Sequence, residues 1–200
     1  LTVLFRVQDH FGDSTADRTL RQAMEMLNSG ASFQTRFVIA QILSKHERYD
    51  EVVEVLDGKV DFSRDTPALQ LFLPALINSD RRKQAHEIIK ALPREVADQP
   101  FYLRILTWIH MVRGDYPACE QTIERYLQAR PNDLSMCLKW IDMRMRIGSE
   151  TDVKTFLAGN AEKLNGSPSE KMHLAMMLDR FDFGERSLRL GYEVFLKNRR

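Results

Sequence analysis

Histidines, cysteines and closely spaced carboxylates are where catalysis or metal binding would begin, and in this chain none of them gathers into a pattern. The five histidines, His10, His46, His86, His110 and His173, are scattered, without an HExxH pair or a His/Cys cluster at metal-ligand spacing. His110 falls on the apolar side of its helix, the usual place of a structural histidine. The stretch DGKVDFSRD (57–65) spaces three aspartates, but lacks the glycine and closing glutamate of a calcium loop and reads as a solvated connection. No GxxxxGK[ST], GxGxxG or GxSxG occurs, so neither a phosphate cradle nor a nucleophile elbow is encoded. Asn165-Gly166-Ser167 is formally a glycosylation sequon followed by Pro, and carries no further weight. These absences lead to the expectation that the chain is not an enzyme, with no catalytic residue, no metal site and no cofactor.

Bulk charge excludes little more. The 29 basic and 28 acidic residues leave a net charge of +1, with 44% hydrophobic and 28% charged residues, an ordinary globular balance. Arg81-Arg82-Lys83 opens a helix against its dipole, whereas Lys197, Arg199 and Arg200 close one in favour of it. Neither cluster is interleaved with aromatics or extended into a stripe, so a nucleic-acid partner is not expected. The most apolar run, ALQLFLPALI (68–77), is about half of a bilayer span and contains Pro74. Two cysteines, Cys119 and Cys137, are too few for a disulfide framework and fall at inward positions, as buried free thiols would. With no visible signal peptide, the expected location is cytoplasmic. The start at Leu1 and the end in KNRR suggest a piece of a longer protein.

What the chain does show is a beat. From Cys119, in RGDYPACEQTIERYLQARPND (113–133), steps of 33 or 34 residues land on Val52, Ala85, Val153 and Ser187. Each is a small or β-branched residue early in an apolar-periodic segment that follows a polar turn. Four residues on stand Leu56, Ile89, Ile123, Leu157 and, less fittingly, Gly191. Each of these segments is preceded by another, in which Ile39, Phe72, Leu106, Trp140 and Leu174 hold equivalent places. Apolar residues three and four apart mark one face of a helix. The boundaries carry helix chemistry too: Ser167-Pro168-Ser169-Glu170 is a capping box, and Asp65 and Asp115 each stand just before a first-turn Pro. Helix pairs are therefore predicted at about 32–45/48–58, 66–78/81–92, 98–113/116–129, 132–147/150–164 and 168–180/184–198, with a looser pair over 1–29. Repeat units follow at about 1–29, 32–58, 66–92, 98–129, 132–164 and 168–198, one domain with no internal boundary. Pro74, inside a helix, should kink or shorten it.

A period of 34 residues with a small residue opening the second helix resembles the tetratricopeptide repeat (TPR). The likeness is best over Gly114-Asp115-Tyr116, Cys119, Ile123, Tyr126 and Pro131-Asn132-Asp133, and covers about 32–198. The repeats are degenerate: Ala40 and Ala175 keep the small residue of the first helix, while Leu73, Thr107 and Ile141 replace it. The resemblance implies an all-α, right-handed superhelical array of five to six helix-turn-helix repeats, an α-solenoid whose first helices line a concave groove.

Under that geometry the groove would present Phe37, Gln41 and Lys45, then Arg104, Trp108 and Met111, then Asp142, Met145 and Arg146, and last Met176 and Arg180. Trp, Met and Arg suit interaction surfaces. For Trp108, Met145 and Met176 a core role stands equally open, and Trp140 is assigned to the core. Lys45, Gln41 and Arg104 do not reproduce the carboxylate-clamp spacing of some family members. The expected function is a non-catalytic scaffold binding a protein or peptide segment in this groove. The alternative is a regulatory or positioning arm of a multidomain enzyme, and self-association through a terminal repeat stays open as well.

Overall fold

The structure is a computed structural model that describes residue 27 and residues 32–58 and 66–197. The expected pair over 1–29 lies outside the described residues apart from Leu27, which is helical and buried. All described elements are helices: α1 (Phe33–Lys45), α2 (Tyr49–Leu56), α3 (Thr66–Asn78), α4 (Arg82–Ala91), α5 (Arg94–Ala97), α6 (Pro100–Arg113), α7 (Tyr116–Ala129), α8 (Leu134–Arg146), α9 (Glu150–Asn160), α10 (Pro168–Arg180) and α11 (Gly184–Lys197), with a 3₁₀ turn at Ala161–Lys163. No described helix is long and apolar enough to cross a membrane. Contacts gather the chain into two compact units, Leu1–Pro93 and Arg94–Arg200.

The predicted pairs are present within a residue or two at nearly every end, and their turns share one geometry. Each turn places a single residue in the left-handed region: Glu47 (φ 58°), Asp80 (φ 59°), Gly114 (φ 71°), Gly148 (φ 80°) and Asp182 (φ 66°). The next residue's N–H then reaches back five positions, from Arg48 to Leu43 O (2.9 Å), Arg81 to Leu76 O (2.7 Å), Asp115 to His110 O (3.0 Å), Ser149 to Arg144 O (2.9 Å) and Phe183 to Leu178 O (2.8 Å). This is the Schellman closure, which satisfies carbonyls a helix end would otherwise leave bare. The 34-residue beat of the side chains is thus also a beat of the backbone.

Caps start the helices where the sequence placed them. Asp115 accepts the Ala118 N–H (3.3 Å) in front of α7. In front of α10, the Ser167 hydroxyl accepts the Glu170 N–H, while the Glu170 carboxylate accepts the Ser167 N–H (2.7 Å). Asp65 falls outside the described residues. Two features add to the expected pattern. Pro74 does not shorten α3, which runs unbroken to Asn78, where the Asn78 amide donates to the Pro74 carbonyl (2.9 Å). And the one-turn helix α5 precedes the third pair, steadied by the Arg94–Asp98 ion pair (3.5 Å) and by Arg125 pairing with Asp98.

In the first unit α1 packs on α2 and α3, α2 on α3, and α3 on α4. In the second, α6/α7 and α10/α11 form tight hairpins, α8 packs on α7 and α9, and α8 also meets α10. The slots defined by the period are filled: Val52, Ala85, Cys119 and Val153 are fully buried, as are Leu56, Ile123 and Leu157. Each large apolar slot of this kind contributes roughly 1.5–3 kcal/mol. Cys119 and Ser187 make the same contact in their hairpins, donating to the Thr107 (3.6 Å) and Ala175 (2.9 Å) carbonyls twelve residues back. Helix α8 serves two cores, offering Met136 and Met143 to Leu103, Cys119, Ile123 and Tyr126, and Cys137 and Ile141 to Val153, Leu157, Leu174 and Leu178. Trp140 packs against both, tilted on Phe156 at 4.9 Å. Cys119 and Cys137 are free buried thiols, and burial pushes each up to about 11.

Candidate functional site

With one side of each first helix committed to the cores, the opposite side is left to solvent, and the residues predicted to form a groove lie there. None of them is fully buried. On α1 of the first unit, Gln41 and Lys45 are exposed, and Phe37 is half-buried and stacked on Phe33 at 5.9 Å. In the second unit, Arg104 is exposed, Trp108 and Met111 half-buried on α6, Asp142 and Met145 half-buried and Arg146 exposed on α8, and Met176 and Arg180 exposed on α10. Met111 and Met145 rest on the rims of the two cores, whereas Met176 keeps 66% of its surface open. Trp108 stands between these cases. His110 is half-buried with Nδ1 3.8 Å from Asp115 Oδ2, next to the turn that closes α6.

The face has two chemically different ends. At the C-terminal ends of α8 and α10 the cations are paired. Arg146 meets Asp142 one turn back (3.1 Å), and Arg180 meets Glu150 at the start of α9 (3.3 Å) while lying over the Phe181 ring. At the N-terminal ends of the same helices lies a cleft of about 460 Å³, lined among others by Arg104, Arg130, Asn132, Ser135, Asn165 and Gly166.

Its floor is made where two loops run side by side. The Asn165 N–H donates to the Asn132 carbonyl (2.8 Å) and the Leu134 N–H to the Asn165 carbonyl (3.0 Å), a short parallel bridge between the loop entering α8 and the loop entering α10. Gly166 is required by this closeness, because a Cβ there would stand 2.7 Å from Glu170 Oε2 and 2.9 Å from Leu134 Cβ.

The cleft's two carboxylates are occupied by its own walls. Asp133 caps α8 through Oδ1, which accepts the Met136 N–H (3.1 Å), and accepts the Tyr126 hydroxyl through Oδ2 (2.5 Å). Glu170 Oε2 accepts both the N–H and the hydroxyl of Ser167 (2.7 and 2.9 Å). The backbone N–H of Ser167 chiefly holds the Glu170 carboxyl below its usual range, helped by the Ser167 and Ser135 hydroxyls. Burial, then the bond to Asp133, raises the Tyr126 phenol.

Lys139, half-buried on α8, has its pKa lowered first by burial and then by the charge of Arg104, with Asp133 and Cys119 pulling the other way. Of the residues at this end only Arg104 was marked by the sequence. Arg130 sits in a loop and Asn165-Gly166 in a sequon, so only their meeting in space distinguishes them.

No group of three or more His, Cys, Asp or Glu side chains able to hold a metal ion lies together among the described residues. No family model matches the chain, and neither a curated protein nor a solved structure shows significant similarity to it.

Proposed function

We propose that the chain is a non-catalytic interaction module of TPR-like stacked helix pairs, whose first-helix face receives a segment of a protein partner. The observation that carries the reading is the division of α6, α8 and α10 into a core side and an open side. The cores claim Leu103, Met136, Cys137, Ile141, Leu174 and Leu178, the open side collects Arg104, Trp108, Met176 and Arg180, and Met111 and Met145 lie between, on the core rims. Such a mixture of aromatic, thioether and guanidinium groups is typical of interface anchors. The recurring Schellman turns and small-residue slots support the superhelical arrangement, because identical hairpin joints repeat the same stacking step.

Selection of a random displayed-peptide library on the immobilised chain tests this. Enriched sequences should lose at least about tenfold in affinity when Trp108→Ala is combined with Met176→Ala, the scale expected of a central aromatic anchor. The helical circular-dichroism signal should stay as it is. Enriched peptides that bind the double variant equally well would place binding elsewhere.

A further inference from the structure

We propose that the outer face of α11 is a self-association surface, on which a second copy of the chain lays its own α11 antiparallel, the two Tyr192 side chains facing each other. The inner side of this helix is committed to the core. Val194 is buried, Leu190 packs on the cluster that holds Leu174 and Leu178, and the Ser187 hydroxyl donates to the Ala175 carbonyl (2.9 Å). The outer side carries Leu188, Tyr192 and Leu196, four residues apart and therefore in one stripe, with 77%, 64% and 47% of their surface open. Exposed apolar residues scattered singly are ordinary, but three in line along one helix mark an interaction surface.

The register of the repeats narrows what can cover this stripe. Stepping back 34 residues from its three members gives Lys154, Ala158 and Glu162, and 34 more gives Glu120, Glu124 and Gln128. Further helix pairs follow both of those segments, yet Glu120 alone of the six holds a residue of the next first helix, Arg144, and the other five are exposed. One more stacked pair would thus leave most of the stripe open. A lipid surface fits poorly as well, because the basic side chains beside the stripe are neutralised: Arg186 and Arg189 meet Glu162, and Lys171 meets Glu193.

A second copy fits by symmetry. The stripe is centred on Tyr192, so a two-fold axis there sets Leu188 of one copy level with Leu196 of the other. Glu185 and Arg199 stand seven residues to either side of Tyr192, the latter outside the described residues. The antiparallel order brings these opposite charges to the same level at both ends, whereas a parallel order would set Glu185 against Glu185. One helical stripe is a small interface, so the association should be weak and concentration-dependent.

Sedimentation equilibrium of the whole chain over a wide concentration range tests this, and a reversible monomer–dimer equilibrium is expected. Tyr192→Glu sets two like charges against each other and should raise the dissociation constant roughly tenfold or more. The helical circular-dichroism signal should not change, because the side chain is exposed. Met176→Glu, at a comparably exposed apolar position on α10, should leave the equilibrium as it is. Glu185→Arg and Arg199→Glu should each weaken the dimer, and an equimolar mixture of the two variants should restore it, a rescue that a merely structural role for either residue does not predict. A monomer at every concentration, a dimer indifferent to Tyr192→Glu, or a mixture that fails to recover would overturn the proposal. A monomer that binds phosphatidylserine vesicles and loses them with Tyr192→Glu would overturn it in favour of a membrane surface.

Discussion

The two ends of the open face use the same residue types to opposite effect. Toward the C-terminal ends of α8 and α10, Arg146 and Arg180 lie against Asp142 and Glu150. Toward the N-terminal ends, Arg104 and Arg130 line the cleft together with Asp133 and Glu170, and neither guanidinium pairs with either acid. What differs is whether a helix start has taken the acid's oxygens: Glu150 opens α9, where no side-chain cap bond forms at the N-cap, and meets Arg180 instead. Asp142 is mid-helix, where every backbone N–H is already bonded, so its carboxylate turns to an arginine one turn on. Asp133 and Glu170 sit at helix starts, where bare N–H groups and the positive end of the dipole capture a carboxylate first. An acid in a cap is thus withdrawn from its cationic neighbours.

The largest effect should come from removing such a captured acid. Asp133→Ala deletes a cap, typically about 1 kcal/mol, and strands the hydroxyl of the fully buried Tyr126, whose charge-assisted bond adds roughly 1.5–3 kcal/mol. Urea unfolding should show a loss of about 2–4 kcal/mol, and Tyr126→Phe about half of that, because the cap survives. Equal losses for the two variants would mean that Asp133 does not serve both helices at once.

Much of this arrangement was readable before any coordinates. The pair boundaries, the slots at Val52, Ala85, Cys119 and Val153, the capping box at Ser167 and the cap at Asp115 follow from local periodicity and local hydrogen bonding, which a sequence states directly. The turns were only half visible: Gly114 and Gly148 announce left-handed backbone, but Glu47, Asp80 and Asp182 adopt it because the hairpin closure demands it. The open side of α6, α8 and α10 was legible as residue positions. Its division into a paired and an unpaired end was not, since it depends on loops more than thirty residues apart meeting at Asn132 and Asn165. Asp133 as an N-cap is a common pattern. Its second bond, to Tyr126, belongs to packing.

The paired end can be weighed against a half-buried pair in the same unit. Arg144 joins Glu120 on α7, reaches Asp152 at 3.5 Å and lies 5.3 Å above the Trp140 ring, with only about a fifth of its side chain exposed. A double-mutant cycle between Arg144 and Glu120 should give a coupling of about 1 kcal/mol. The corresponding cycle for Arg180 and Glu150, both more than half exposed, should give about 0.3 kcal/mol and vanish in high salt. A larger coupling for Arg180 would show that the C-terminal end is locked rather than merely neutralised.

The smallest and most discriminating effect concerns Lys139. Its folded pKa lies below the unfolded 10.5, so between the two values the unfolded chain holds more protons and stability must climb with pH. Below the folded value both states are protonated, and the penalty of a half-buried ammonium beside Arg104 is present in full. Lys139→Met should therefore gain stability relative to the parent chain at neutral pH, and the gain should shrink as pH rises toward 10.5. Arg104→Gln should flatten the same slope, because it removes the second-largest cause of the depression while leaving burial in place. A stability difference independent of pH would mean that the lysine's methylenes, not its charge, matter there.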